Sequence, residues 1–165
     1  MLIFDADGLI KINRSGVLGL GTRNYESLVP AAVYDEVVVR GALRGHADAA
    51  DIGQILERFA EVTSPEIGDG GHELDHLVSG LGAGETQALY LALQLRQGAA
   101  IVSDDRRFLG VLSDLSIPFL IPSHINLGLV RDELLSVPNS KIAMNALRPF
   151  IRQSDYLEAL EELGE

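Results

Sequence analysis

The stretch IFDADGLI (residues 3–10) places Asp5 and Asp7 one residue apart, directly behind a short apolar run. An Asp in this position can attack a phosphorus atom as the nucleophile of a phosphoryl-transfer enzyme, hold a metal ion, or simply end a strand. A turn that carries one carboxylate occurs in many folds. The positions of the other acidic residues in the chain are therefore needed to distinguish between these roles.

A second acidic motif follows another apolar run, since Asp104 and Asp105 come directly after AAIVS (residues 99–103). Both runs predict buried strands. Ligands bind at the carboxyl edge of an open α/β sheet, above the switch in strand order, so we expect Asp5 and this pair at that edge. The alternative is structural: Ser103 or Asp104 would cap the following helix, and the acids would favour its dipole.

Two further acids lie on helical patterns. Glu36 falls on nearly the same predicted face as Val33 and Val37, so we expect it at the edge of the core rather than in solvent. Glu85 shares a predicted face with Leu89, although an acid at a helix start can also serve the helix dipole. Acids on apolar stripes are costly to bury unless they are paired or bound to a metal.

The HELDH sequence offers a different metal chemistry, because His72 and His76 form the HExxH pattern of zinc hydrolases. The chain has no Cys to act as a further zinc ligand, and the pair follows a glycine-rich stretch. A solvated polar face is the alternative interpretation. Zinc hydrolysis is therefore a minor hypothesis.

The DADG sequence also resembles the first motif of haloacid-dehalogenase-type phosphatases. Leu9 stands where those enzymes have Thr or Val, and no Lys lies between Lys11 and Lys141 to compensate the charge of the site. An Arg is a poor substitute for a Lys point charge. The departures argue against a nucleophilic Asp5.

Short apolar runs alternate with helical patterns along the chain, which is typical of a three-layer α/β/α fold with a central parallel sheet of four to five strands. The whole chain, residues 1–165, is expected to form one domain. Its C-terminal helices (138–165) would pack on that domain or on a partner. The predicted strands are MLIF, SLVP, AEVTS, AAIVS and IPFLI, and the predicted helices include residues 47–60 and GETQALYLALQLRQG.

Composition narrows the function classes further. The net charge of −11 argues against a broad basic surface that binds nucleic acid, but not against an acidic site that binds divalent cations. No stretch reaches the ~20 apolar residues of a membrane helix. The first residues lack the features of a signal peptide, so we expect a cytoplasmic protein without membrane association.

Four motifs in order resemble those of the PIN-domain nucleases, a family that includes the ribonuclease toxins of toxin–antitoxin pairs. FDADGLI is similar to the family's first strand and acid, and VPAAVYDEVV fits its P-x-x-V-x-x-E helix. LGAGETQALYLAL fits the third motif, and AAIVSDDRRF fits the strand that ends in an acid. The ending is like that of an uncharacterised bacterial and archaeal branch.

The resemblance implies a cluster of carboxylates that binds Mg²⁺ or Mn²⁺. The implied metal-binding and catalytic acids are Asp5, Glu36, Glu85 and Asp105, with Asp104 as an auxiliary acid. Asp7 departs from the usual Ser, Thr or Asn and adds a negative charge, while Ser103 stands where the family usually has Thr. Arg106 and Arg107 are the nearest residues that could bind RNA.

The function implied by the resemblance is a metal-dependent ribonuclease, the toxin-like component of a toxin–antitoxin pair. Its expected partners are the RNA substrate, a small antitoxin protein and a second copy of the chain in a homodimer. A PIN-fold binding or regulatory module with weak catalysis is the alternative, motivated by the net charge and the extra Asp7.

Overall fold

The computed structural model describes residues 1–66, 76–95 and 98–164. Its centre is a five-stranded sheet in which every paired neighbour is parallel, with the strand order β3-β2-β1-β4-β5. The strands are β1 (Leu2–Phe4), β2 (Ser27–Pro30), β3 (Glu61–Thr63), β4 (Ala100–Val102) and β5 (Phe119–Leu120). The parallel sheet expected from the apolar runs is confirmed, and all five predicted strands are present.

Helices follow or connect these strands. They are α1 (Ala6–Arg14), α2 (Leu18–Asn24), α3 (Ala31–Tyr34), a π-helical turn (Asp35–Val39), α4 (Arg40–Leu43), α5 (Asp48–Phe59), α6 (Ala83–Leu95), α7 (Arg106–Asp114), α8 (Pro122–Arg131), α9 (Val137–Leu147) and α10 (Gln153–Glu162). None of those in the described ranges combines the length and apolar character needed to cross a bilayer.

The central strands are buried on both faces, as their continuous apolar sequences predict. Leu2 and Phe4 of β1 pack into a cluster with α1, α2, α5 and α8, while Ile3 packs into a second cluster with α6 and α7. Because successive side chains of a strand point to opposite faces, β1 contributes to both layers. The result is the expected three-layer α/β/α architecture.

The strand order reverses at β1, which lies between β2 and β4. The register pairs Phe4 with Val102, so β1 and β4 end side by side. Asp5 and the segment that begins with Ser103 therefore leave the sheet at neighbouring points. This is the position at which open α/β sheets bind ligands.

Gly8 allows α1 to approach β4 at this edge. A Cβ atom on Gly8 would meet the main-chain oxygen of Val102, which cannot move aside as a flexible side chain can. The close approach keeps the first turn of α1 against the end of the sheet. The glycine of the DADG sequence is thus required by packing.

The last two helices form a smaller cluster of their own, built around Met144, Leu147 and Tyr156. α9 also contacts α1 and α8, and α10 contacts α8 and α9. Through these contacts the C-terminal helices lie beside the layer that carries α1.

Candidate metal centre

Asp5 is the most buried of the four predicted metal-binding acids, with 2% of its surface exposed. It caps α1, and its Oδ1 accepts a hydrogen bond of 2.6 Å from the main-chain N–H of Gly8. Burial raises the pKa of this carboxyl to about 7, and the nearby charges of Asp7 and Glu85 add to the rise. Hydrogen bonds from Ser103 and Gly8 oppose it. The ionised form of Asp5 is therefore disfavoured unless a cation lies nearby.

Glu85 lies in the first turn of α6 and is half-buried. Its Oε2 accepts a 2.7 Å hydrogen bond from the N–H of Gly82. The helix lies close to α3 at Gly84, where a Cβ atom would lie only 2.8 Å from Cγ2 of Val33. The absence of a side chain on Gly84 allows this close approach. The half-buried position of Glu85 is consistent with the face that it was predicted to share with Leu89.

Gln87 ties the same two helices together. Its Oε1 accepts a 2.9 Å hydrogen bond from the N–H of Ala32, in the first turn of α3. The main-chain N–H groups at a helix start have no partner within the helix, so the amide oxygen satisfies one of them. This contact fixes the helix of Glu85 against the segment that leads to Glu36.

Glu36 is exposed, and the prediction that it leans toward the core was wrong. It lies in the π-helical turn Asp35–Val39, which interrupts the helix between α3 and α4. A π-helical turn advances through fewer degrees per residue than an α-helix. Val33 and Val37 stay buried, and Glu36 is displaced to the side of their stripe.

Asp105, and not Ser103 or Asp104, caps α7. Its Oδ1 accepts hydrogen bonds of 2.9 Å from the N–H groups of Arg107 and Phe108. The hydroxyl oxygen of the buried Ser103 accepts a 3.2 Å bond from the N–H of Asp105. Ser103 thus links Asp5 to Asp105 through its hydroxyl group.

One cavity of about 260 Å³ brings these acids together at the carboxyl edge of the sheet. Its lining residues are Asp5, Ala6, Asp7, Glu36, Gly82, Gly84, Glu85 and Asp105. All four acids that the resemblance implied as metal ligands are among them. In the described part of the chain, no ion pair includes any of the four.

The chemistry of this lining fits a hard divalent cation, since every charged group in it is a carboxylate. In residues 1–66, 76–95 and 98–164, however, no three acidic or histidine side chains lie close enough together to hold one ion. The lining agrees with a metal site in type and charge, whereas a complete coordination shell would need the side chains to move closer.

Comparison with known families settles the kind of domain. A family model described as a PIN domain matches residues 1–120. The chain belongs to the PIN-domain family. No curated protein and no solved structure matches it. The family has a nuclease fold and generally uses divalent metals.

Asp104 stands apart from this PIN-domain cavity. Its side chain is 4% exposed and accepts a 2.8 Å hydrogen bond from Lys11 Nζ, with Arg152 Nη2 at 3.5 Å on its other oxygen. It does not line the cavity. Two cations already neutralise this acid, which gives it a structural role in place of the auxiliary one that the sequence suggested.

Asp7 lines the cavity, but Lys11 offsets its charge from one helical turn away, at 2.7 Å. Burial alone would lower the pKa of Lys11, and the hydrogen bonds to Asp104 and Asp7 outweigh burial and raise it. Lys11 was missed as a member of the site, although its i, i+4 spacing from Asp7 could have revealed it. Lys11 thus offsets part of the charge that Asp7 adds, since it shares its own charge between Asp7 and Asp104.

Of the remaining candidates, Arg106, Arg107 and His76 do not line the cavity. Arg106 and Arg107 are exposed in the first turn of α7, and a side chain at Gly80 would collide with the Arg107 guanidinium. His76 is exposed, while His72 lies outside the described residues. The zinc hypothesis therefore gains no support from the part of the chain that is described.

A larger cavity, of about 510 Å³, lies elsewhere, beside Met1 and Tyr25 at the amino ends of β1 and β2. None of the predicted acids lines it. The hydroxyl of Tyr25 donates to Asp132 Oδ2 at 2.7 Å, and burial and this bond raise the pKa of Tyr25 to about 12. Although this cavity is the larger of the two, we do not consider it a candidate active site, because the predicted acids line the cavity at the carboxyl edge of the sheet.

Proposed function

We propose that this PIN-domain protein is a metal-dependent ribonuclease that hydrolyses phosphodiester bonds of RNA with Mg²⁺ or Mn²⁺. The observation that carries the proposal is the shared cavity of Asp5, Glu36, Glu85 and Asp105. These residues come from four segments far apart in the sequence. Asp5 supports the proposal further, because its raised pKa describes a carboxylate that a bound cation would stabilise.

In this proposal the ion is held by Asp5, with Glu36, Glu85 and Asp105 as the other candidate ligands. A divalent cation bound there would generate a hydroxide at neutral pH and stabilise the leaving oxygen of the phosphodiester. Gly8, Gly82 and the first turn of α7 orient the three carboxylates through main-chain N–H groups. Asp5 therefore binds metal and is not the attacking group.

Cleavage of a structured RNA in the presence of Mn²⁺ tests the proposal. We expect the wild-type protein to cleave and the Asp5→Asn variant to lose at least about 100-fold in rate, since a central charged ligand is removed. Asp114→Asn is the matched control, because Asp114 is an exposed acid at the far end of α7. Equal cleavage by wild type and Asp5→Asn would refute the assignment.

The same proposal includes a toxin-like role in which a small antitoxin protein restrains the nuclease. Its support is the resemblance of the four motifs to those of PIN-domain toxins. Coexpression with the product of a neighbouring small gene, followed by copurification and loss of RNA cleavage, would test it. Free cleavage in the presence of that product would count against the antitoxin.

A second candidate function is a PIN-fold binding or regulatory module with weak catalysis. It is favoured by one observation, namely that no three acids of the described residues are arranged around a single point. RNA binding without Mn²⁺-dependent cleavage would select this alternative. Metal-dependent cleavage that requires Asp5 would exclude it.

A further inference from the structure

A second, smaller cavity adjoins the carboxylate cavity, and Glu36 lines both. It measures about 110 Å³ and is lined by Ile10, Arg14, Glu36, Val37, Gly41, Arg44, His46, Asp48 and Ala49. Three of these residues, Arg14, Arg44 and His46, carry basic side chains, and two, Glu36 and Asp48, carry acidic ones. A local basic group is unusual in a chain whose net charge is −11.

The two cavities lie along one face of α1. Asp7 lines the first, whereas Ile10 and Arg14 line the second. Residues spaced by three, four or seven positions share a helical face. The seven residues from Asp7 to Arg14 advance about 10 Å along the axis, which matches about three nucleotides of a stacked strand at 3.4 Å each.

Arg14 is held in place within this second cavity. Its Nε lies 3.0 Å from Asp48 Oδ2, and its guanidinium lies 4.6 Å from the ring centroid of Phe150. The ion pair balances the charges of Arg14 and Asp48 against each other, so the unpaired charges left at the cavity are those of Arg44 and Glu36. Arg14 donates only its Nε to Asp48, and its terminal N–H groups remain as donors for a ligand. The stacked guanidinium is positioned before any ligand arrives.

Arg44 and His46 are exposed, and in the described residues their side chains have no hydrogen-bond or ion-pair partner. Arg44 follows α4, and the two residues are separated by Gly45, whose φ of +74° favours glycine. This turn presents both side chains at the cavity that Gly41 and Ala49 help to form. They are available to an incoming anion.

We infer that Arg14, Arg44 and His46 form a phosphate-binding subsite for single-stranded RNA, beside the carboxylate cavity. The subsite takes a backbone phosphate a few nucleotides from the bond that is cleaved. An Arg guanidinium matches the oxygens of a phosphate with two parallel hydrogen bonds. This inference rests on the proposed ribonuclease function, since it assigns the place where the same strand is held.

Binding of a short, fluorescently labelled oligouridine, measured by anisotropy in EDTA so that no cleavage occurs, tests the subsite. We expect Arg44→Gln to weaken binding about tenfold. It should also reduce the slope of log K against log salt by about 0.7, which is the share of one phosphate contact to a single strand. His46→Gln is expected to weaken binding less, because it removes an imidazole donor and no guanidinium.

Arg58→Gln is the matched control, since it removes the same charge from the opposite end of α5, about 15 Å along the helix from Asp48. Both arginines are exposed, so neither change should alter the melting temperature by more than about 1 °C. Equal affinities and equal salt slopes for the two variants would overturn the subsite, and so would an absence of oligouridine binding by the wild type.

The result is separable from the test of catalysis. A contrast between Arg44→Gln and Arg58→Gln, found in a protein that does not cleave RNA with Mn²⁺, would retain the subsite and refute the nuclease. Cleavage that depends on Asp5, found with no such contrast, would retain the nuclease and refute the subsite.

Discussion

At the scale of single residues, Asp5 combines two properties that conflict in the absence of a cation. It is almost completely buried, yet its neighbours Asp7 and Glu85 are acids. Its hydrogen bonds with Gly8 and Ser103 only partly offset the cost. A protein that maintains such a carboxylate sacrifices stability for a function, which is characteristic of active sites.

The raised pKa predicts how the stability of the metal-free protein varies with pH. Asp5 binds a proton in the folded state up to a pH of about 7, whereas its ordinary value is 3.8. Between these values the folded state holds more protons than the unfolded state, so the free energy of unfolding falls as pH rises from about 4 to 7. The expected loss is of the order of 4 kcal/mol, since one pKa unit is worth about 1.4 kcal/mol.

The Asp5→Asn variant should remove this pH dependence and be more stable than the wild type at pH 8 in EDTA. Urea unfolding followed by circular dichroism at several pH values measures both effects. Asp114→Asn, an exposed acid far from the cavity, is the control and should behave like the wild type. A wild-type stability that rises across this pH range would contradict the burial argument.

The sequence was enough to place Asp5, Glu85 and Asp105 near one another, because each follows a strand end or begins a helix at the same edge of the sheet, and all three line the same cavity. Their role as metal ligands stays a prediction. It was not enough to separate Asp104 from Asp105. Adjacent residues point in different directions, and only the backbone after β4 determines which one caps α7 and which one meets Lys11. The burial of Glu36 was mispredicted for a similar reason, since a π-helical turn leaves no mark in the apolar spacing.

At the scale of elements, the position of α1 against β4 determines where Asp5 and Asp7 lie. Replacing Gly8 with Ala would place a Cβ against the main-chain oxygen of Val102. We expect Gly8→Ala to lower the free energy of unfolding by about 2 kcal/mol, the usual cost of overpacking a rigid contact. Urea denaturation is the measurement.

Gly110→Ala is its control, because Gly110 also lies in a helix but its Cβ would meet nothing within 4 Å. That change should raise stability by up to about 1 kcal/mol, since Ala is the better helix former. If the two substitutions had the same sign, the close approach of α1 to β4 would not be limiting.

The strands and most helices could be predicted because short apolar runs and helical periodicity encode them directly. The helix α2 (Leu18–Asn24) was not predicted, since its sequence LGLGTRN contains two glycines and too few turns to show a period. Its stability comes from packing of Leu18 and neighbouring residues into the core, which is a tertiary effect.

At the scale of the whole molecule, charged side chains connect the PIN-domain cavity to helices beyond the matched residues 1–120. Lys11 of α1 pairs with Asp7 and Asp104, and Arg152, the residue directly before α10, reaches the same Asp104. The C-terminal helices thereby support the loop that carries Asp105. Whether further apolar residues on them, such as Ile142 and Leu157, join two copies of the chain stays a prediction.

Removing Lys11 tests this connection. The Lys11→Met variant leaves Asp104 buried with only the more distant Arg152, so we expect the free energy of unfolding to fall by about 3 kcal/mol. The double variant Lys11→Met/Asp104→Asn should recover part of that loss, because it also removes the stranded charge. Urea unfolding of the wild type, the two single variants and the double variant measures this coupling. If the losses in the free energy of unfolding from Lys11→Met and Asp104→Asn simply added in the double variant, the two residues would not be coupled and the connection would be refuted.

Four carboxylates from distant parts of the sequence line one cavity, and we propose that a bound divalent cation stabilises their ionised forms. Calorimetric titration of the protein with Mn²⁺ tests this claim most directly, without RNA. We predict saturable binding in the micromolar to low millimolar range by the wild type and its loss in Asp5→Asn, with Asp114→Asn unchanged. No binding by the wild type up to millimolar Mn²⁺, or equal binding by wild type and Asp5→Asn, would contradict it.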